Sequence, residues 1–74
     1  MKIKSNINEC EYNIADVCRI INPKQQVLYI KHGLFPIDIY PSIDARTGAD
    51  IIAMVFSKAE SQPLYELWKT HDLY

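Results

Sequence analysis

The stretch Ile51-Ile52-Ala53-Met54-Val55-Phe56 decides the fold of this 74-residue chain. It is the longest apolar run, it is rich in β-branched residues, and it reads as a strand. Successive strand side chains alternate faces, so Ile51, Ala53 and Val55 point one way and Ile52, Met54 and Phe56 the other. Both faces are therefore apolar. A small sheet with helices on one side should be polar on its other side, and this strand breaks that rule.

Working towards the N-terminus, Pro36 opens a second extended run, Ile37-Asp38-Ile39-Tyr40, which alternates at period two. The polar stretch from Pro41 to Asp50 joins the two runs. It is longer than the usual hairpin connection of ~2–5 residues, which makes it a candidate functional loop with Arg46 as its cation. Before Pro36 lies a helix, Pro23 to His32. Asn22 caps its free amides, Pro23 takes the first position, Lys31 and His32 fill the last turn, and Gly33 supplies the left-handed stop. Earlier still, Tyr12 to Ile21 is apolar and β-branched, most securely a strand over Val17 to Ile21, with a bulge or break at Ala15-Asp16. Residues 1 to 9 are polar and are expected to be flexible.

Beyond Phe56, Ser57-Lys58-Ala59-Glu60 matches a capping box. Leu64, Leu67, Trp68 and His71 share one helical face, and Pro63 suggests that the regular helix starts near Ser61. The order strand, helix, strand, strand, helix predicts one small α+β domain over 1–74. Its architecture is a two-layer β-α-β-β-α unit, a three-stranded sheet with two helices on one face and the 51–56 strand in the middle.

Composition narrows the function. Apolar residues make up 49% and charged residues 23%, and the formal charge is −1. No global field draws such a chain to nucleic acid or membrane. The N-terminus lacks the apolar core of a signal peptide, and no run approaches the ~20 residues of a membrane span, so a cytoplasmic chain with two reduced thiols is expected. Exposing three large apolar side chains would forfeit several kcal/mol, at ~1.5–3 kcal/mol each, in a domain with little to spare. Ile52, Met54 and Phe56 are accordingly read as an oligomer interface, with a second copy of the chain as the simplest cover. The competing cover is the leading segment, with Ile3, Ile7 and Tyr12, folded back over the sheet.

The chemistry is sparse. Cys10, Cys18, His32 and His71 are the soft-metal ligands, but they lack knuckle spacing, so no metal and no other cofactor is expected. Ser57 reads as a helix cap and not as a nucleophile, and two glycines cannot build a phosphate loop. No catalytic residues are assigned; a small enzyme using His32 or His71 as a base ranks last. Aromatics beside basic groups, Tyr29 with Lys31 and His32, and Tyr65 with Lys69, suggest a binding surface. Tyr29, Lys31, His32, Tyr40, Arg46 and Tyr65 are the candidate ligand residues, whereas Trp68 falls in the core stripe.

The strings Asn22-Pro23-Lys24-Gln25-Gln26, Tyr29-Ile30-Lys31-His32-Gly33 and Pro36-Ile37-Asp38-Ile39-Tyr40 resemble a group of small proteins from Firmicutes phages and prophages. So do Val55-Phe56-Ser57-Lys58-Ala59-Glu60 and Leu64-Tyr65-Glu66-Leu67-Trp68. The resemblance covers about residues 17 to 71, departs at Ser57 and in the 41–50 loop, and carries no catalytic residues. It implies a compact accessory protein that inhibits host defence stoichiometrically, by capturing a host protein or sequestering a nucleotide signal. A homo-oligomeric binding protein of this kind is the leading expectation. A nucleic-acid-binding regulator is the alternative.

Overall fold

The computed structural model describes residues 2–74, so Met1 of the leading segment lies outside the described residues. Five strands and two α-helices follow one another as β1 (Lys2–Lys4), β2 (Glu11–Asn13), β3 (Val17–Ile20), α1 (Pro23–Lys31), β4 (Asp38–Ile43), β5 (Asp50–Ser57) and α2 (Lys58–Lys69). A 3-10 turn, Ile14–Asp16, separates β2 from β3 at the place where the sequence suggested a break. The fold is α+β: β3, β5 and β4 form an antiparallel sheet with β5 in the centre, and both helices pack on one face.

The local signals act as expected. Asn22 Oδ1 accepts from the amides of Lys24 and Gln25 at 3.0 and 3.3 Å, and Pro23 opens α1. Gly33, at φ +89°, reverses the chain and lets the amide of Leu34 reach the Tyr29 carbonyl at 3.0 Å. Ser57 Oγ accepts from the Glu60 amide at 3.3 Å and starts α2 at Lys58, earlier than the Ser61 start that Pro63 suggested. The carbonyl of Ala59, which Pro63 leaves without its ladder partner, lies on the exposed side of the helix, so the proline is tolerated. Strand β4 runs through Pro41 to Ile43, because proline is accepted at an edge strand. The expected long loop is thus reduced to the tight turn Asp44–Ala49, closed by Asp44 N to Ala49 O at 2.9 Å.

Beneath the helices, Leu28, Tyr29, Phe56 and Leu73 form the core, with Cys18, Ile20, Leu34, Met54, Leu64 and Trp68 packed against it. The register pairs Cys18 with Phe56, Ile20 with Met54 and Ile39 with Met54, so these residues share the helix face of the sheet. Phe56 is fully buried and Met54 half-buried there. This corrects the reading of Met54 and Phe56 as an oligomer interface: the helices cover them. Ile52, on the same face but beyond their reach, stays 46% exposed. On α2 the buried side is Ser61, Leu64 and Trp68, whereas Leu67 is exposed and His71 lies outside the helix in an exposed left-handed turn at φ 62°.

The outer face carries Val17 and Arg19 from β3, Asp38, Tyr40 and Ser42 from β4, and Ile51, Ala53 and Val55 from β5. It is covered from within the chain. Strands β1 and β2 pair as an antiparallel hairpin, and Ile3 and Tyr12 close over Val17, Tyr40 and Val55. The leading residues, expected to be loose, supply this cover: Ile3 and Tyr12 fold back as the competing reading had it, but over this face and not over Ile52, Met54 and Phe56, and Ser5 is buried. Towards the turn, Arg19 spans the central strand: its guanidinium lies 5.9 Å from the Tyr40 ring centre and donates to Ser42 Oγ at 2.8 Å. Ala53 below it is fully buried.

Asp38 fastens the hairpin. The carboxylate is 1% exposed and accepts from the Asn6 amide (2.7 Å), the Asn6 side chain (3.0 Å), the Ile39 amide (2.9 Å) and the Tyr12 hydroxyl (2.7 Å). Burial pushes this carboxyl up, but the Asn6 amide, the Tyr12 hydroxyl, the Asn6 side chain and the Ile39 amide outweigh it and hold the group below its ordinary value. For Tyr12, burial and then the bond to Asp38 push the phenol up to about 12. The signs are opposite. Asp38 stabilises the fold fully above its unfolded pKa of ~3.9 and loses that contribution as pH falls further. Tyr12 contributes fully below its unfolded pKa of ~10 and loses it as pH rises towards 12. In urea titrations across pH, Asp38→Asn should flatten the acid limb and Tyr12→Phe the alkaline limb. Asp38→Ala, which strands several donors, should cost about 3 kcal/mol at neutral pH.

Candidate functional site

The largest departure from the sequence reading concerns α1. Its buried residues are Gln25, Gln26, Leu28 and Tyr29, while Val27 is 63% exposed. Gln26 Nε2 donates to the carbonyls of Ile20 and Ile52 at 2.8 and 2.7 Å, which ties the helix to β3 and β5 where those strands part. Gln25 Nε2 donates to Tyr29 Oη at 3.0 Å, and the Tyr29 ring meets Phe56 edge to face, centroids 5.1 Å apart. Tyr29 is fully buried and its phenol is raised above its ordinary value, chiefly by burial. It is a core residue, not the surface ring that was expected.

The other candidate residues do not converge. Helix α1 carries the chain back from the Asp44–Ala49 turn to the start of β4, so Lys31 and His32 lie at its far end from Arg46. Both are exposed, and His32 Nε2 is 2.9 Å from the Tyr74 carbonyl oxygen. Tyr40 sits on the outer face beneath Arg19, with the sheet between it and Tyr65 on α2. Tyr65 is exposed and carries the Lys69 ammonium 5.2 Å from its ring centre. Losing Tyr29 from the surface removes the stacking ring on which the nucleic-acid reading leaned.

Tyr65 does, however, border a cleft. About 340 Å³ opens between β3 and the helices, lined by Cys18, Ile20, Tyr29, Ser61, Gln62 and Tyr65, with Lys58 on its rim. The cleft exists because α2 approaches β3 through a small residue. Ser61 is buried, and its Oγ lies 3.4 Å from Cys18 Sγ. Lys58 Nζ donates to the Ala15 carbonyl at 3.2 Å, which holds the ammonium beside the first residues of β3. The lining is apolar with a thiol, a hydroxyl and an amide converging on it, the mixture that orients a bound group in an apolar pocket. Sequence reasoning picked Tyr29 and Tyr65 from this site, Tyr29 as a surface ring, and missed Cys18, Ile20, Lys58, Ser61 and Gln62. They lie far apart along the chain, and Ser61 and Gln62 gave only a helix signal.

The cysteines take separate places. Cys18 faces the helices, whereas Cys10 is exposed in the hairpin loop on the outer side. Among the described residues, no three Cys, His, Asp or Glu side chains are grouped as a metal site requires. No helix among them is long and apolar enough to cross a membrane. No family model, curated protein or solved structure matches the chain.

The buried position of Tyr29 sets a clear expectation. Tyr29→Ala should lower the unfolding free energy by about 3–5 kcal/mol, as for other large aromatic core truncations. Tyr29→Phe, which leaves the buried Gln25 amide without its acceptor, should cost about 1–2 kcal/mol. A surface ligand residue would show neither loss, and chemical denaturation separates the two.

Proposed function

We propose that the chain is a small accessory binding protein of a bacterial mobile element, acting in the host cytoplasm by stoichiometric capture and not by catalysis. Its target would be a host defence protein or a nucleotide signal, the role that the resemblance to Firmicutes phage and prophage proteins implies. The observation that carries the binding reading is the cleft between β3 and α2. Its volume of about 340 Å³ falls at the lower end of the ~300–1,000 Å³ typical of ligand pockets. Cys18 and Ser61 within it have neither His32 nor His71 beside them as a base.

Assembly is the second part of the proposal, and it moves to a new place. Ile21, Ile43 and Ile52 are exposed around the turn end of the sheet, next to a shallow groove of about 390 Å³ that includes Pro41 and Ile51. An apolar surface of this kind suits a two-fold contact between copies. Native mass spectrometry, on the protein alone and after incubation with a Firmicutes lysate, tests both parts. The expected result is an oligomer that retains one partner per site. Ile52→Lys, at an exposed position, should shift the oligomer to monomer while leaving the thermal midpoint within a few degrees, as surface changes of ~0.5 kcal/mol do. A bare monomer that retains nothing from the lysate would overturn the reading.

A further inference from the structure

The cleft adjoins an open sheet edge. Strand β3 pairs with β5 on one side only, and among the described residues no main-chain hydrogen bond reaches its other side. Half of the peptide groups along such an edge point outward and await partners. The opposite edge is defended, since β4 contains Pro41 and its lead-in carbonyl at Ile37 accepts from Ser5 and Asn8 of the hairpin loop. On β3 the side chains that face the helices, Cys18 and Ile20, form the floor of the cleft. Edge and cleft are therefore two parts of one groove.

Resting on the binding role proposed above, we infer that this groove takes an extended acidic-apolar peptide segment of a partner protein by strand addition to β3. The peptide main chain completes the ladder, and every second side chain turns towards α2. One large apolar side chain fills the cleft between Ile20, Tyr29 and Tyr65. A neighbouring aspartate or glutamate meets Lys58, whose ammonium has no carboxylate within ion-pair distance among the described residues. Charge decides the occupant. The four residues of β3 limit the added strand to a short segment, so affinity leans on the cleft and on Lys58 as much as on the ladder.

The test uses the whole chain and defined fluorescent hexapeptides with capped ends. Each carries β-branched residues, one Leu or Phe, and either Glu or Lys two positions to one side or the other. Glu peptides should bind one per chain and about three- to fivefold more tightly than their Lys counterparts, the worth of a solvent-screened charge pair. Amide chemical-shift changes should centre on Val17–Ile20 and on Ser61, Gln62 and Tyr65. Methylating the peptide's ladder-forming backbone nitrogens should abolish binding without touching the protein. Lys58→Glu, which places an acid at a helix N-terminus where it is tolerated, should invert the Glu-over-Lys preference.

Binding that ignores backbone methylation, a charge preference that survives Lys58→Glu, or shifts on another surface would each overturn strand addition. So would β3 paired with a second copy. If native mass spectra retain a lysate partner but no peptide binds, strand addition fails and the binding role stands. If peptides bind as described and the lysate yields nothing, strand addition is supported and the counter-defence role fails.

Discussion

The buried carboxylate of Asp38 is the constraint from which the rest of the architecture follows. It lies at the start of β4, accepts two hydrogen bonds from Asn6, one from Tyr12 and one from its own neighbour Ile39, and has no cation within ion-pair distance among the described residues. A carboxylate taken out of water without such donors would be severely penalised. The hairpin supplies three of the four bonds, so hairpin and sheet require each other. That dependence explains how a three-residue strand such as Lys2–Lys4, with a single inward apolar side chain, is held at all.

With the hairpin in place, the two-faced apolar strand β5 is accounted for inside one chain. Its helix-side residues, Met54 and Phe56, meet the core around Tyr29. Its outer residues, Val55 and Ala53, lie below Tyr12 and Arg19 respectively. The inference that β5 is covered on both sides was sound, but its first choice of cover, a second copy, gives way to the helices on one side and the folded-back leading segment on the other. Seventy-four residues suffice because the third layer is thin: one short hairpin and one arginine laid across the sheet, its aliphatic stem covering apolar surface while its head stays wet. Among the described residues, the turn end of the sheet, around Ile52, is left beyond the reach of both covers.

What was legible in the sequence is what local chemistry dictates. Asn22-Pro23, Gly33 and Ser57 act through neighbours two or three residues away, and each marks its helix end in the structure. The unbroken apolar run of β5 likewise suits the central position it takes. The hairpin was not legible because its anchor is remote: Asp38 lies 26 residues from Tyr12 and 32 from Asn6. A polar-apolar-polar triplet carries no strand signal by itself. Tyr29 was misplaced for a related reason. On α1, Gln25 and Gln26 are drawn inward by the acceptors that wait there, the Tyr29 hydroxyl and the diverging carbonyls of Ile20 and Ile52, while Val27 stays exposed. Buried polar groups go where their partners are, and hydropathy does not record that.

The same logic places the cleft. Helix α2 meets β3 through Ser61, a residue too small to fill the space beside Cys18, while Tyr65 one turn later reaches outward and stands over the gap. A leucine at position 61 would close the groove and add apolar burial to a core that is short of it. Serine there keeps one hydroxyl among apolar walls, with a hydrogen bond to the Lys58 carbonyl at 3.3 Å to satisfy it. The stability forgone sits beside the outer edge of β3, which no main-chain hydrogen bond reaches among the described residues. Elsewhere the chain spends side chains freely to cover its sheet, with Arg19 across the outer face, the Ser5 and Asn8 bonds at Ile37, and Leu73 folded back into the core. Against that habit, an uncovered edge next to an unfilled cleft is the part of the surface where an added strand would gain most.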